Sequence, residues 1–150
     1  MLWVKTPSAA TWTAQVKFEM PSRLGRTHCG LVLWNGREER PADTREVQVA
    51  ASYRDSCTSG PKELSRHPGN SGTFVVNNTT TKGRLRIIKS GNSYRFAFRA
   101  PNVKGWQDLG KLEATVKDGF KQVGMFVKTW GSEPVEVSFN NFIILPGAWD

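Results

Sequence analysis

Arginine is concentrated in one short stretch, with Arg84 and Arg86 before the tripeptide Ser90-Gly91-Asn92 and Arg95 and Arg99 after it. A guanidinium presents a planar fork of donors that bonds a carboxylate or sulfate bidentately. The chain also carries six tryptophans, whose flat faces cover the apolar side of a sugar ring. These residue types suit recognition of an oxygen-rich anionic ligand. Nucleophilic chemistry is poorly provided for. His28 and Cys29 are adjacent, and neighbouring strand residues point to opposite faces, so thiol and imidazole cannot pair. Cys29 and Cys57 lack the companion pairs of a zinc site. A disulfide between them and two separate thiols both remain open.

The segments that must hold these residues read as strands. Arg84–Lys89 and Ser93–Ala100 alternate and are joined by a turn tripeptide, which is a β-hairpin signal. Trp12–Phe18 sets Trp12, Ala14, Val16 and Phe18 against Thr13, Gln15 and Lys17. Cys29–Trp34 ends at Asn-Gly, Glu46–Tyr53 alternates, and Val123–Val127 is apolar. In Val135–Leu145 the apolar face switches between Phe139 and Phe142, which predicts a bulge near Asn140–Asn141. Leu2–Lys5 can supply an edge strand. Eight or nine short strands with no helical spacing predict an all-β antiparallel sandwich in one domain spanning 1–150. The expected core includes Val16, Phe18, Leu31, Leu33, Val47, Val49, Leu85, Ile87, Phe96, Phe98, Val123 and Val137. Two segments read as loops: Asn35–Asp43, which is charged, and Arg54–Gly72, whose length marks it as functional or disordered. An Asn77-Asn78-Thr79 sequon follows.

With 150 residues, 21 Lys plus Arg and 13 Asp plus Glu, the formal charge is +8. That balance favours an acidic polysaccharide, nucleic acid or a membrane surface. No apolar run reaches the roughly 20 residues of a membrane span. The opening MLWVKTPSAATW lacks a basic region followed by an apolar one, so it is not a signal peptide. The chain is therefore expected to be cytoplasmic, or a segment of a longer secreted protein.

A further pattern runs through Gly91, Tyr94, Phe96 and Arg99, then Trp106, Leu109 and Gly110. It continues with Val123, Gly124, Phe126, Lys128, Trp130 and Gly131, and ends in Val137, Phe139 and Phe142. In this order the residues resemble the concanavalin A-like lectin/glucanase superfamily, and within it the non-catalytic β-sandwich domain of bacterial β-xylosidases. The resemblance covers most of the chain outside Arg54–Gly72. It implies a jelly roll of one convex and one concave sheet, with glycan across the concave sheet or at its rim. The glucanase branch carries two catalytic Glu in E-x-D-x-x-E; here Glu38-Glu39 stands beside Pro41, and Glu133 and Glu136 flank Pro134-Val135. Two carboxylates on one strand face, as glycoside hydrolysis requires, are absent. The alginate-lyase branch uses Arg, Gln, His and Tyr; Arg45, Gln48 and Tyr53 match in part, but Val49 and Ala50 follow Gln48 in place of the Q-I-H element. The expectation is a chain without enzymatic activity.

The tryptophans divide by phase. Trp12 belongs with the core, and Trp106 with a turn at the sandwich edge. Trp34 and Trp130 end their strands out of phase with the core residues, and Trp149 is expected to be exposed or packed by a neighbouring module. If Leu85, Ile87, Tyr94, Phe96 and Phe98 face inward, the four arginines share a solvent face with Gln48 and Lys128. The candidate ligand contacts are thus Trp34 and Trp130 as platforms and Gln48, Arg86, Arg99 and Lys128 as polar groups. The competing readings are a hydrophobic plug for the tryptophans and, for the arginines, a solvated surface paired with Glu19, Glu46 and Glu136. An oligosaccharide or polysaccharide, preferably acidic, is the expected partner. Nucleic acid ranks behind it because no nucleic-acid module is visible, and a structural or protein-contacting role is the third reading. A structural calcium ion, common among jelly-roll glycan binders, would need clustered carboxylates; without an Asp-rich loop, no cofactor is expected.

Overall fold

The computed structural model describes residues 2–20, 27–34, 49–55, 62–66, 73–76, 82–113, 120–129, 134 and 136–149. They form eleven strands: β1 (Leu2–Lys5), β2 (Thr11–Glu19), β3 (Thr27–Trp34), β4 (Val49–Asp55), β5 (Lys62–Arg66), β6 (Thr73–Val76), β7 (Lys82–Ser90), β8 (Ser93–Arg99), β9 (Gln107–Glu113), β10 (Gln122–Thr129) and β11 (Ser138–Pro146). Two antiparallel sheets result, one of six strands ordered β1-β10-β3-β4-β5-β6 and one of five ordered β11-β2-β7-β8-β9. This is the all-β sandwich expected from the alternation, in the jelly-roll form that the resemblance implies, and no helix occurs among the described residues.

β2 is the spine of the five-stranded sheet, paired on one side with β11 and on the other with β7. Its even-numbered residues Trp12, Ala14, Val16 and Phe18 are fully buried, as period-two alternation demands of a strand with one face on the core. Leu85 and Ile87 of β7, and Tyr94, Phe96 and Phe98 of β8, continue the same layer. The six-stranded sheet answers with Cys29, Leu31, Leu33 and Val123. Trp12 and Phe120 meet the Tyr94 ring edge to face, at centroid distances of 6.1 and 5.2 Å, a geometry aromatic quadrupoles favour. The Phe120 amide donates to the Tyr94 hydroxyl at 3.2 Å, so the buried phenol keeps a polar partner.

The β7–β8 hairpin closes on Gly91 and Asn92, with Ser90 opposite Ser93. Gly91 takes φ 58°, the left-handed conformation a tight hairpin turn asks of glycine. The bulge in β11 falls where the face switch placed it. Asn140 pairs with Lys17 and Ile143 with Gln15, so three steps on β11 match two on β2, and Asn141 sits at φ 53°. That extra residue lets Phe139, Phe142 and Ile144 all pack against the core. A second bulge in β9, between the Phe96–Gly110 and Ala97–Asp108 pairs, turns Leu109 fully inward.

Nine of the twelve expected core residues are buried, and Val137 packs against them half-buried; Val47 lies outside the described residues, as does the Val49 side chain. The expectation for Arg54–Gly72 needs correction. Arg54 and Asp55 finish β4, and Lys62–Arg66 is a strand between β4 and β6. KELSR carries a single large apolar residue, so its strand character comes from two flanking ladders rather than from alternation. The Asn35–Asp43 segment and the sequon lie outside the described residues.

In β10, Gly124 stands opposite Trp3, where any β-carbon would meet the Leu2 carbonyl oxygen and the Trp3 ring. Gly124→Ala is expected to lower stability by about 1–3 kcal/mol through this overpacking, read as a fall in the urea midpoint. An unchanged midpoint would show that β1 does not dock there.

Candidate functional site

The outward face of the five-stranded sheet is built from the odd register of β2 and its partners. One cross-strand row runs Ile143, Gln15, Arg86, Ala97, and the next Asn140, Lys17, Arg84, Arg99. The hairpin arginines therefore share a face, as alternation required. Their environments differ.

Arg86 is 5% exposed. Its guanidinium donates to the Trp149 carbonyl oxygen and, at 3.4 Å, to Gln15 Oε1, and it lies over the Trp106 ring at 3.7 Å. Burying a cation is costly unless hydrogen bonds and π faces replace its water, and here both do. The carbonyl comes from a C-terminal strap, residues 146–149, folded across the sheet. Gly147 N donates to Thr11 O at 2.9 Å. Thr13 Oγ1 donates to Gly147 O at 2.8 Å and accepts from Trp149 N at 3.3 Å. Thr13 is accordingly buried although it faces away from the core. Trp149 turns its indole N–H to Pro146 O at 3.0 Å and leaves its ring about half exposed.

Beyond Trp106 the face opens. Arg99 also lies over that ring, 4.7 Å from its centroid. A cleft of about 590 Å³ follows, lined by Lys17, Lys82, Gly83, Arg84, Arg99 and the turn from Ala100 to Lys104. Among the described residues ten line it, five of them cations and none a carboxylate, so the cleft favours an anion.

Of the six sequence-derived ligand contacts, the structure brings together Arg86 and Arg99, both against the Trp106 ring. Trp34 and Lys128 belong to β3 and β10 of the other sheet. They also stand at opposite ends of that ladder, Trp34 beside Gln122 and Lys128 beside His28, roughly 20 Å apart at strand rise. Their side chains lie outside the described residues, as do Gln48 and Trp130. The expected sharing of one face by the hairpin arginines and Lys128 is thus corrected: hydrogen-bonded sheets, not similar phase, decide which residues are neighbours. Sequence reasoning passed over Lys17 and Lys104. Lys17 was legible from its alternation with Val16 and Phe18, whereas Lys104 is delivered by a turn without periodicity.

Cys29 is fully buried with a free thiol, and desolvation pushes its pKa from 9.0 up to about 12. A thiol is a nucleophile only as thiolate, so Cys29 is part of the core. Among the described residues no three His, Cys, Asp or Glu side chains gather as metal ligands, and no helix is long and apolar enough to cross a membrane.

No family model matches the chain, and no curated protein does. Solved structures match across nearly its whole length. A functionally unknown protein from Saccharomyces cerevisiae superposes with a TM-score of 0.75 at 18% identity, covering 99% of this chain and 75% of its own. A GH43 protein from Bacillus licheniformis reaches 0.66 at 12% identity, covering 97% of this chain and 32% of its own. A marine PL7 alginate lyase from Zobellia galactanivorans reaches 0.53 at 11%, covering 97% and 65%. At such identities the likeness is one of fold: the sandwich is shared with modules of carbohydrate-active proteins.

Three expectations follow from this geometry. Arg86→Ala removes the strap's anchor and a contact on the Trp106 ring, and should cost about 1–3 kcal/mol, with a shift in tryptophan fluorescence. Full stability in that variant would mean the strap is not held by Arg86. Cys29 should resist alkylation in the folded protein below the ordinary thiol value of 9.0 and label only on unfolding, as read by peptide mass spectrometry. Burial also raises the Tyr94 hydroxyl. Both groups bind their protons more tightly folded than unfolded, so their contribution is complete below pH 9.0 and is lost as pH climbs towards about 12. The urea midpoint should fall across that window.

Proposed function

We propose that this chain is a non-catalytic, lectin-like carbohydrate-binding module that takes an acidic glycan on the outward face of its five-stranded sheet. The observation that carries the reading is the open half of that face, where Lys17, Arg84 and Arg99 line a cleft with no carboxylate among the described lining residues. Arginine donors suit the carboxylate and sulfate groups of an acidic polysaccharide. Structural likeness to a GH43 protein and an alginate lyase adds support, as does the +8 charge.

Absence of catalysis is favoured by the state of the carboxylates on the same sheet. Glu19 pairs with Lys82 at 3.8 Å, Asp108 with Arg95 at 3.9 Å and Glu113 with Lys111 at 3.6 Å. Glu19 is on β2 and the other two are at opposite ends of β9, each beside a cation, whereas glycoside hydrolysis wants two facing one bond.

An array of neutral and acidic glycans, run at low and high salt beside single-stranded DNA, tests the proposal. Acidic glycans should bind, weaken as salt screens the contact, and remain uncleaved. Binding of neutral sugars alone, or of none, would sink the acidic reading. Turnover abolished by a point substitution would overturn the non-catalytic one. Preference for DNA, with a steep salt slope, would make the face a nucleic-acid surface.

A further inference from the structure

The row Lys17, Arg84, Arg99 is a defect in the free protein. Lys17 stands directly opposite Arg84, and Arg84 directly opposite Arg99, so three like charges occupy adjacent strands about 5 Å apart. Directly opposed like charges destabilise a sheet. The row's remaining member, Asn140 on β11, is neutral. The nearby carboxylate of Glu19 is paired with Lys82, and that of Asp108 with Arg95. Among the described residues Lys17, Arg84 and Lys104 make no hydrogen bond or ion pair. Arg99 alone is partly compensated, by the Trp106 ring, and stacking uses the face of a guanidinium while leaving its in-plane N–H donors free.

We propose that this row, closed by Lys104, is an anion seat that is complete only when a carboxylate or sulfate group of a glycan lies across it. The site rests on the carbohydrate-binding reading above and deepens it, by saying which residues hold the charged group. Pro101 and the exposed Val103 supply an apolar wall beside the cations, against which the C–H face of a sugar ring can lie. Among the described residues no aromatic side chain lines the cleft. A single-stranded nucleic acid stacks its bases on aromatics, so the lining fits a charged saccharide better. Arg86 stays outside the seat as the residue that anchors the strap and packs on Trp106.

Because the row is repulsive when empty, binding and stability should respond in opposite directions to one substitution. Arg84→Gln, with Lys111→Gln on the same sheet as control, is compared with the parent by thermal unfolding and by titration with an oligogalacturonide, a sulfated oligosaccharide, sodium sulfate and oligo-dT. At low salt Arg84→Gln is expected to raise the Tm of the free protein by about 1–3 °C and to weaken the acidic oligosaccharide at least about tenfold. Lys111→Gln should do neither. The carboxylated and sulfated arms show which anionic group the seat prefers. A lowered Tm in Arg84→Gln would make the arginine structural and overturn the seat. Unchanged affinity in that variant would overturn it while leaving the carbohydrate-binding reading intact. If no oligosaccharide binds the parent, that reading fails; the anion seat then stands only if sulfate raises the Tm of the parent and not of Arg84→Gln, and otherwise falls with it. Oligo-dT binding more tightly than either oligosaccharide would also overturn the proposal.

Discussion

Burial of a single stripe, Trp12, Ala14, Val16 and Phe18, organises this molecule. β2 carries that stripe between β11 and β7, so the register of three strands is set by which of its faces is dry. A one-residue slip would drive Thr13, Gln15 and Lys17 inward, at the cost of desolvating a cation. The same constraint fixes the outer surface. Once Val16 is buried Lys17 must face out, and the ladder then places it against Arg84 and Arg99. The charged row is a by-product of packing, and the carboxylate beside it, Glu19, is taken up by Lys82.

Two arginines of that outer face meet the same tryptophan and end differently. Arg86 has exchanged water for the Trp106 ring, an amide oxygen and the strap carbonyl. Arg99, over the same ring, retains solvent. Two residues of one type on neighbouring strands thus do different work, one holding the chain to itself and the other available to a ligand. The strap also explains why Thr13, polar and outward-facing, is buried without penalty: its hydroxyl donates to one strap group and accepts from another.

Alternation made β2, the β7–β8 hairpin and the β11 bulge readable in the amino-acid sequence, because each leaves a local mark of period two, its interruption, or a turn glycine. β5 leaves none. Lys62–Arg66 is held by pairing with β4 on one side and β6 on the other, and a pattern of one apolar residue in five carries no period. The site shows the same split. The common face of Arg84, Arg86, Arg95 and Arg99 follows from spacing. The burial of Arg86 follows from a contact across 63 residues with a strap that has no periodicity, and the assignment of Lys128 to the opposite sheet follows from strand order.

The two bulges bear on how the five-stranded sheet ends. Its outer strands are β11 and β9, and each carries an extra residue where its ladder shifts. An edge strand with an even row of free amides and carbonyls is a template on which another chain can add a strand. A bulge kinks that row and sharpens its twist, so neither edge presents an uninterrupted register. Leu109 and Phe142 gain their places in the core by the same irregularities that blunt the borders of the sheet. Straightening either strand would therefore both unpack an apolar residue and expose a seam for self-association.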